Sequence, residues 1–222
     1  MSSTQYVFWQ CLDDACRFRF PATVASEGSG CCPKCREGIE QVLIPDEQII
    51  FSPKTAPAPS RGQAVSATPH FHLEILLDNI RSVYNVGAMF RTADGAGVRH
   101  LHLSGISAPP THPKIAKTAL GAQDHLPWSY ENNGLETAVS LQARGYQLWA
   151  LEATPNAQPL FSANLKSMTQ PVLFVVGSEK AGVDPGILSL CDRVFSLPMQ
   201  GFKGSLNVAV AFGIALYTIQ FR

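Results

Sequence analysis

Residues 171–177 read Pro-Val-Leu-Phe-Val-Val-Gly, five consecutive apolar side chains closed by a proline and a glycine. An apolar run this short and this continuous, with no polar alternation, is the pattern of a strand covered on both faces. HLEILLD (72–78) and YQLWALE (146–152) have the same character, and RHLHLSG (99–105) and DRVFSLP (192–198) complete five candidate strands. Helix-compatible segments at 86–96, 113–120, 134–143 and 184–190 lie between them. Doubly covered strands alternating with helices predict an α/β domain built on a mostly parallel sheet.

Three stretches of this frame carry chemistry-bearing residue types. The strand at 171–177 runs into Gly177-Ser178-Glu179-Lys180-Ala181-Gly182. Glycines let a ligand approach the backbone, and the carboxyl ends of parallel strands are where such sheets bind ligands. Glu179 can accept a hydrogen bond from a substrate or orient Arg91. The stretch from Asp78 to Val98 contains Asn85, placed as a helix cap, then Arg91, then Gly95 and Gly97 as a helix ending. The planar guanidinium of Arg91 suits a phosphate or carboxylate. The third stretch, LPMQGFKGSLNVAVA (197–211), ends a strand at Pro198 and places Ser205 as the N-cap of a last helix. Residues 205–221 are apolar almost all round, so this helix must be buried by its own domain or by a second subunit.

Ahead of this domain, residues 1–51 hold five of the six cysteines. Cys11 and Cys16 form one close pair and Cys32 and Cys35 another, the second within Cys-Pro-Lys-Cys. Four thiolates in two such pairs can hold a tetrahedral zinc ion with no position left open, a structural site. The competing reading is a redox pair or unrelated buried thiols. Cys31 is expected to stand aside, its competition with Cys32 as a ligand being the alternative, and Cys191 to be a core residue. The ribbon's aromatic and basic residues, among them Phe8, Phe18, Phe20, Arg17, Arg19 and Lys34, either stack on unpaired bases and touch phosphates or form the ribbon's own small core. From Ser52 to Pro69 the chain is rich in Pro, Ala and Ser, the composition of a solvated linker. The expected organisation is a zinc-ribbon-like module at 1–51, a linker at 52–69 and a second domain at 70–222.

Formal charge is zero, from 17 basic and 17 acidic residues, so no broad attraction to nucleic acid is written into the composition. Residues 1–60 carry 5 basic and 7 acidic side chains. Any contact with nucleic acid must come from local patches, for which Arg81, Arg99, Lys114, Lys117, Lys180 and Lys203 are candidates. No run reaches the roughly 20 apolar residues of a membrane helix, and the N-terminus lacks a secretory pattern. No membrane association and a cytoplasmic location are expected.

In order and spacing, the stretches 78–98, 177–182 and 197–211 resemble the three motifs of the SpoU/TrmH family within the SPOUT superfamily. The likeness runs over about residues 72–222. It implies a trefoil knot in the C-terminal part, a homodimer packed through the last helix, and S-adenosylmethionine as cofactor. By the resemblance, the cofactor is held by Gly177, Leu197, Met199, Ser205, Leu206 and Asn207. The implied activity is RNA 2′-O-ribose methylation on tRNA or rRNA, with Arg91 at the acceptor and Asn85, Glu179, Ser205 and Asn207 completing the catalytic set. The alternatives are an inactive RNA-binding protein of this fold, or a methyltransferase brought to its substrate by a protein-binding ribbon.

Overall fold

The computed structural model describes residues 6–23, 30–42, 72–165 and 170–221. The expected linker at 52–69 lies outside the described residues. The N-terminal part holds β1 (Tyr6–Cys11), β2 (Arg19–Thr23) and β3 (Ile39–Val42), an antiparallel sheet of order β2-β1-β3. The main domain runs β4 (Leu73–Asp78), α1 (Val83–Gly95), β5 (His100–Ser104), α2 (Ala116–Ala119), β6 (Trp128–Glu131), α3 (Gly134–Ala143) and β7 (Gln147–Leu151). It continues with β8 (Gln158–Pro159), β9 (Val172–Val176), α4 (Pro185–Leu190), β10 (Arg193–Ser196) and α5 (Val208–Phe221).

The main sheet has the order β6-β5-β4-β9-β7-β10-β8, and every pairing in it is parallel. All five expected strands are present, and β9 is buried at every position, as its unbroken apolar run predicts. Two edge strands, β6 and β8, escaped the sequence reading: one mixes polar and aromatic residues, and the other is two residues long. β9 pairs with β4 and β7, which come earlier in the chain, so strands close in space come from distant parts of the sequence.

One face of the sheet packs under α1 and α5, in a core that includes Met89, Phe90, Phe174, Phe212 and Leu216. The other face packs under α3 and α4, around Leu76, Leu148, Leu173 and Ile187. Helix α1 ends as its glycines predict. Gly97 takes φ +72° and donates to the carbonyl of Asp94, while Val98 donates to Ala93, the paired bonds of a left-handed helix stop. The start of α1 corrects the expectation. Ser82, not Asn85, is the cap, and its hydroxyl accepts from the backbone N–H of Asn85 at 3.3 Å.

Helix α5 is two-sided rather than wholly enclosed. Phe212, Ala215, Leu216 and Ile219 are buried, whereas Val210, Ile214, Tyr217 and Phe221 stand exposed along the opposite side. Among the described residues no helix is long and apolar enough to cross a membrane.

Candidate active site

The carboxyl ends of β7, β9 and β10 and the start of α5 enclose a pocket of about 400 Å³. All six residues expected to hold a cofactor line it: Gly177, Leu197, Met199, Ser205, Leu206 and Asn207. Leu151, Glu152, Ala153 and Ser196 also line it and had no signal in the sequence: the first three end a strand that carries no motif, and Ser196 lies just ahead of the third. Gly177 has a reason beyond ligand access. A Cβ there would meet the backbone N of Val183 at 2.2 Å and the carbonyl carbon of Gly182 at 2.3 Å. The loop therefore folds back on its own start, closed by paired backbone hydrogen bonds between Ser178 and Gly182. Glu152 fixes the returning strand by accepting from the N–H of Val183 at 2.8 Å.

The three motifs meet through side chains. The amide of Asn207 donates to the side-chain oxygen of Asn85 at 3.3 Å, and the amide of Asn85 donates to Glu179 at 2.8 Å. Glu179 also accepts from the backbone N–H groups of Arg81 and Ser82 at 2.8 and 3.1 Å. Partial burial opposes its charge, but these donors outweigh burial and hold the carboxyl below its usual range. Glu179 is therefore an ionised clamp between the first two motifs, and it does not orient Arg91. Arg91 lies on α1, exposed, with no hydrogen bond or ion pair among the described residues. Asn207, rather than Ser205, caps α5: its side-chain oxygen accepts from the N–H groups of Ala209 and Val210 at 2.9 and 3.3 Å. Ser205 lines the pocket wall and is exposed. Beside it Phe202 is wholly exposed, in a loop where neither Gly201 nor Gly204 has a neighbour to restrict it. Of the local bases, Arg99 sits at the amino end of β5, on the edge of the sheet away from this pocket.

Residues 72–217 match the model of the SpoU rRNA methylase family. The chain belongs to that family. Its family domain is 33% identical over 146 residues to a 23S rRNA (guanosine-2′-O-)-methyltransferase, RlmB, of Ralstonia nicotianae, covering 65% of this chain and 57% of the relative. The chain thus spans little more than half of the length of that relative. Among solved structures, the family methyltransferase AviRb of Streptomyces viridochromogenes in complex with AdoMet is 29% identical, with a TM-score of 0.60 over 69% of this chain and 61% of that one. A TrmH/SpoU tRNA modifying enzyme of A. aeolicus is 30% identical, with a TM-score of 0.59 over 67% of this chain and 74% of that one.

The cysteine cluster lies outside the family domain. The sulfurs of Cys11 and Cys35 are 3.4 Å apart and those of Cys16 and Cys32 3.8 Å, and all four lie within 4.8 Å of one another. A tetrahedral zinc with bonds of about 2.3 Å places its sulfurs about 3.8 Å apart, so the cluster fits the ion. The backbone N–H groups of Asp13 and Lys34 point at Cys11 and Cys32, each at 3.4 Å. Cys31 stands outside the cluster. Cys191 closes α4, and burial pushes its thiol up to about 12.

Several of the ribbon's basic and aromatic residues are engaged within the protein itself. Phe8 and Phe18 are buried, and Phe18 stacks on Phe20 with ring centroids 5.4 Å apart. Arg17 pairs with Glu136 of α3 at 3.0 Å. Arg19, 2% exposed, makes a two-pronged ion pair with Asp184, which is 1% exposed. Lys34 reaches Asn132 and lies over the ring of Tyr130. The module is docked onto the family domain, and three bases that were candidates for phosphate contact are engaged in the docking.

Proposed function

We propose that the chain is an S-adenosylmethionine-dependent RNA 2′-O-ribose methyltransferase. The observation that carries this reading is the single pocket lined by Gly177, Leu197, Met199, Ser205, Leu206 and Asn207, whose rim joins all three motifs through Asn207, Asn85 and Glu179. The cofactor supplies a methyl group on a positively charged sulfur, an activated leaving group. With it bound, the 2′-oxygen of the acceptor would attack that carbon in line, the carbon–sulfur bond would break to leave neutral S-adenosylhomocysteine, and the hydroxyl proton would pass to water. Since the donor is already activated, the protein chiefly has to position the pair and assist loss of the proton. A guanidinium is a binder of anions and not a proton acceptor, so the role of Arg91 is to bind the phosphate beside the acceptor ribose and polarise the hydroxyl. Ser205 and Asn207 complete the set next to the pocket, and Phe202 and Lys203 offer an aromatic face and a cation at its mouth.

A homodimer accompanies this reading. The exposed line Val210, Ile214, Tyr217 and Phe221 gives α5 an apolar side that a second copy would cover, bringing a partner's Arg91 region towards the pocket. The knot of the C-terminal part, structural zinc in the ribbon, and a cytoplasmic tRNA or rRNA as substrate complete the proposal, with the ribbon module at 1–51 and the methyltransferase domain at 70–222. Local bases supply the phosphate contact that the neutral chain lacks overall.

The test is methyl transfer from labelled S-adenosylmethionine to RNA by the wild-type chain and by Arg91→Ala. The expected outcome is a loss of transfer of about a hundredfold or more in the variant, with cofactor binding retained. An unchanged rate removes Arg91 from the chemistry. No transfer by either protein, with cofactor bound, favours the inactive RNA-binding alternative.

A further inference from the structure

Among the described residues, buried polar side chains of the ribbon meet the family domain at Arg19–Asp184 and at Gln10–Asn133, and the first of these contacts lies next to the second motif. From Cys16 the chain runs through Arg17 and Phe18 to Arg19. The carbonyl of Cys16 accepts from the side-chain amide of Asn132 at 2.7 Å, and the N–H of Arg19 donates to the carbonyl of Asn132 at 3.0 Å. The backbone of this strand is therefore fixed to the loop between β6 and α3. The guanidinium of Arg19 then spans both oxygens of Asp184 and donates to Gln10 at 3.2 Å.

Asp184 is the residue at which the second motif turns into α4. Its side chain caps that helix by accepting from Gly186 at 2.7 Å, and its N–H donates to buried Asp78 at 3.3 Å. Its neighbour Val183 is held by Glu152 and packs against Gly177, and both Glu152 and Gly177 are walls of the cofactor pocket. Two buried acids, Asp78 and Asp184, thus lie together, and the guanidinium that ion-pairs with Asp184 comes from outside the family domain. Burial and the charge of Asp184 push Asp78 up to about 7, and the charge of Arg19 opposes that rise.

We propose that Arg19 is a positioning residue for the cofactor: the ribbon, through the Arg19–Asp184 pair, holds the 177–184 loop in the shape that binds S-adenosylmethionine. The ribbon is on this account an internal brace of the pocket as well as a docked module. The proposal rests on the reading of the pocket given above.

The experiment measures binding of S-adenosylhomocysteine, the unreactive product, by calorimetry on the full metal-loaded chain, with a thermal melt of each variant. Arg19→Met strands a buried carboxylate. Arg19→Met combined with Asp184→Asn removes that charge while keeping the side-chain oxygen that caps α4, and so recovers melting temperature. Arg19→Lys keeps the charge without the two-pronged geometry and provides a folded variant if Arg19→Met does not fold. The expected result is affinity weakened about tenfold in Arg19→Met, and still at least fivefold weaker in the double variant and in Arg19→Lys. Affinity that returns to wild type along with melting temperature, or that never changes in a folded variant, overturns the proposal and leaves the pair a structural fastening. Failure of the wild-type chain to bind S-adenosylhomocysteine overturns the pocket reading itself, and this proposal with it.

Discussion

The ribbon and the parallel-sheet domain hold their residues in place by opposite means. The domain buries apolar strands on both faces and keeps its polar site at the strand ends, where β7, β9 and β10 open into the pocket. The ribbon has a core of a few aromatics and its cysteines, too little buried surface to fold unaided. Four cysteine sulfurs lie together inside it, and ion pairs bind it to its larger neighbour. A small module of this kind can place a charge accurately only when it is fixed at both ends.

Removing metal is the largest way to break that contrast. Structural zinc contributes on the order of 10 kcal/mol to the folding of isolated small modules. A strong chelator is expected to abolish the ribbon's folded signals while the helical circular dichroism of the larger domain persists, with its melting temperature lowered. Loss of both together would mean that the domain cannot stand without its brace. Retention of both would remove the metal from the account.

Within the domain, Gly177→Ala places a methyl group against the backbone of Gly182 and Val183. Because those neighbours are backbone, they cannot swing aside, and a cost of about 2 kcal/mol or more is expected. Denaturant unfolding with and without S-adenosylhomocysteine checks this, and the cofactor is expected to stabilise the variant far less than the wild type. A variant as stable and as responsive as wild type would show that the loop does not fold back on itself.

These two effects also mark how far the sequence could be read. β9 and β4 were legible because a strand covered on both faces leaves a continuous apolar run. The six pocket residues were legible because three motifs coincide. The caps were not, since Ser82 and Asn85 are both good capping residues and only the backbone geometry selects between them. Nor was the exposed side of α5, because composition cannot separate burial by its own domain from an open face. The Arg19–Asp184 pair spans 165 positions and leaves no local pattern, so the docking of the ribbon on the domain was not legible. Arg99 opens the candidate strand 99–105, so the sequence already puts it at the amino end of that strand, opposite the pocket.

The smallest effect concerns polar groups buried without a metal. On β5, His100 and His102 lie with ring centroids 4.4 Å apart, and each contacts the hydroxyl of Ser129. Burial, then the neighbouring His102, pushes His100 down to about 4. His100 is therefore neutral in the folded protein across a range where the unfolded chain takes up a proton. Its contribution to stability is complete above about pH 6.5 and is lost as the pH falls towards 4. Relative to His100→Gln, the wild type is expected to lose on the order of 2 kcal/mol between pH 7 and pH 4.5, measured by urea unfolding. A parallel pH dependence in both proteins would place the acid sensitivity elsewhere.

The central claim is that the pocket delivers a methyl group to a ribose oxygen of RNA. The most direct test is to incubate the metal-loaded chain with labelled S-adenosylmethionine and separate tRNA and rRNA pools, then digest the RNA to nucleosides. The account predicts label in a 2′-O-methylated nucleoside from one pool, absent when Arg91 is replaced by alanine. Label on a base, or equal transfer by the Arg91 variant, would contradict it.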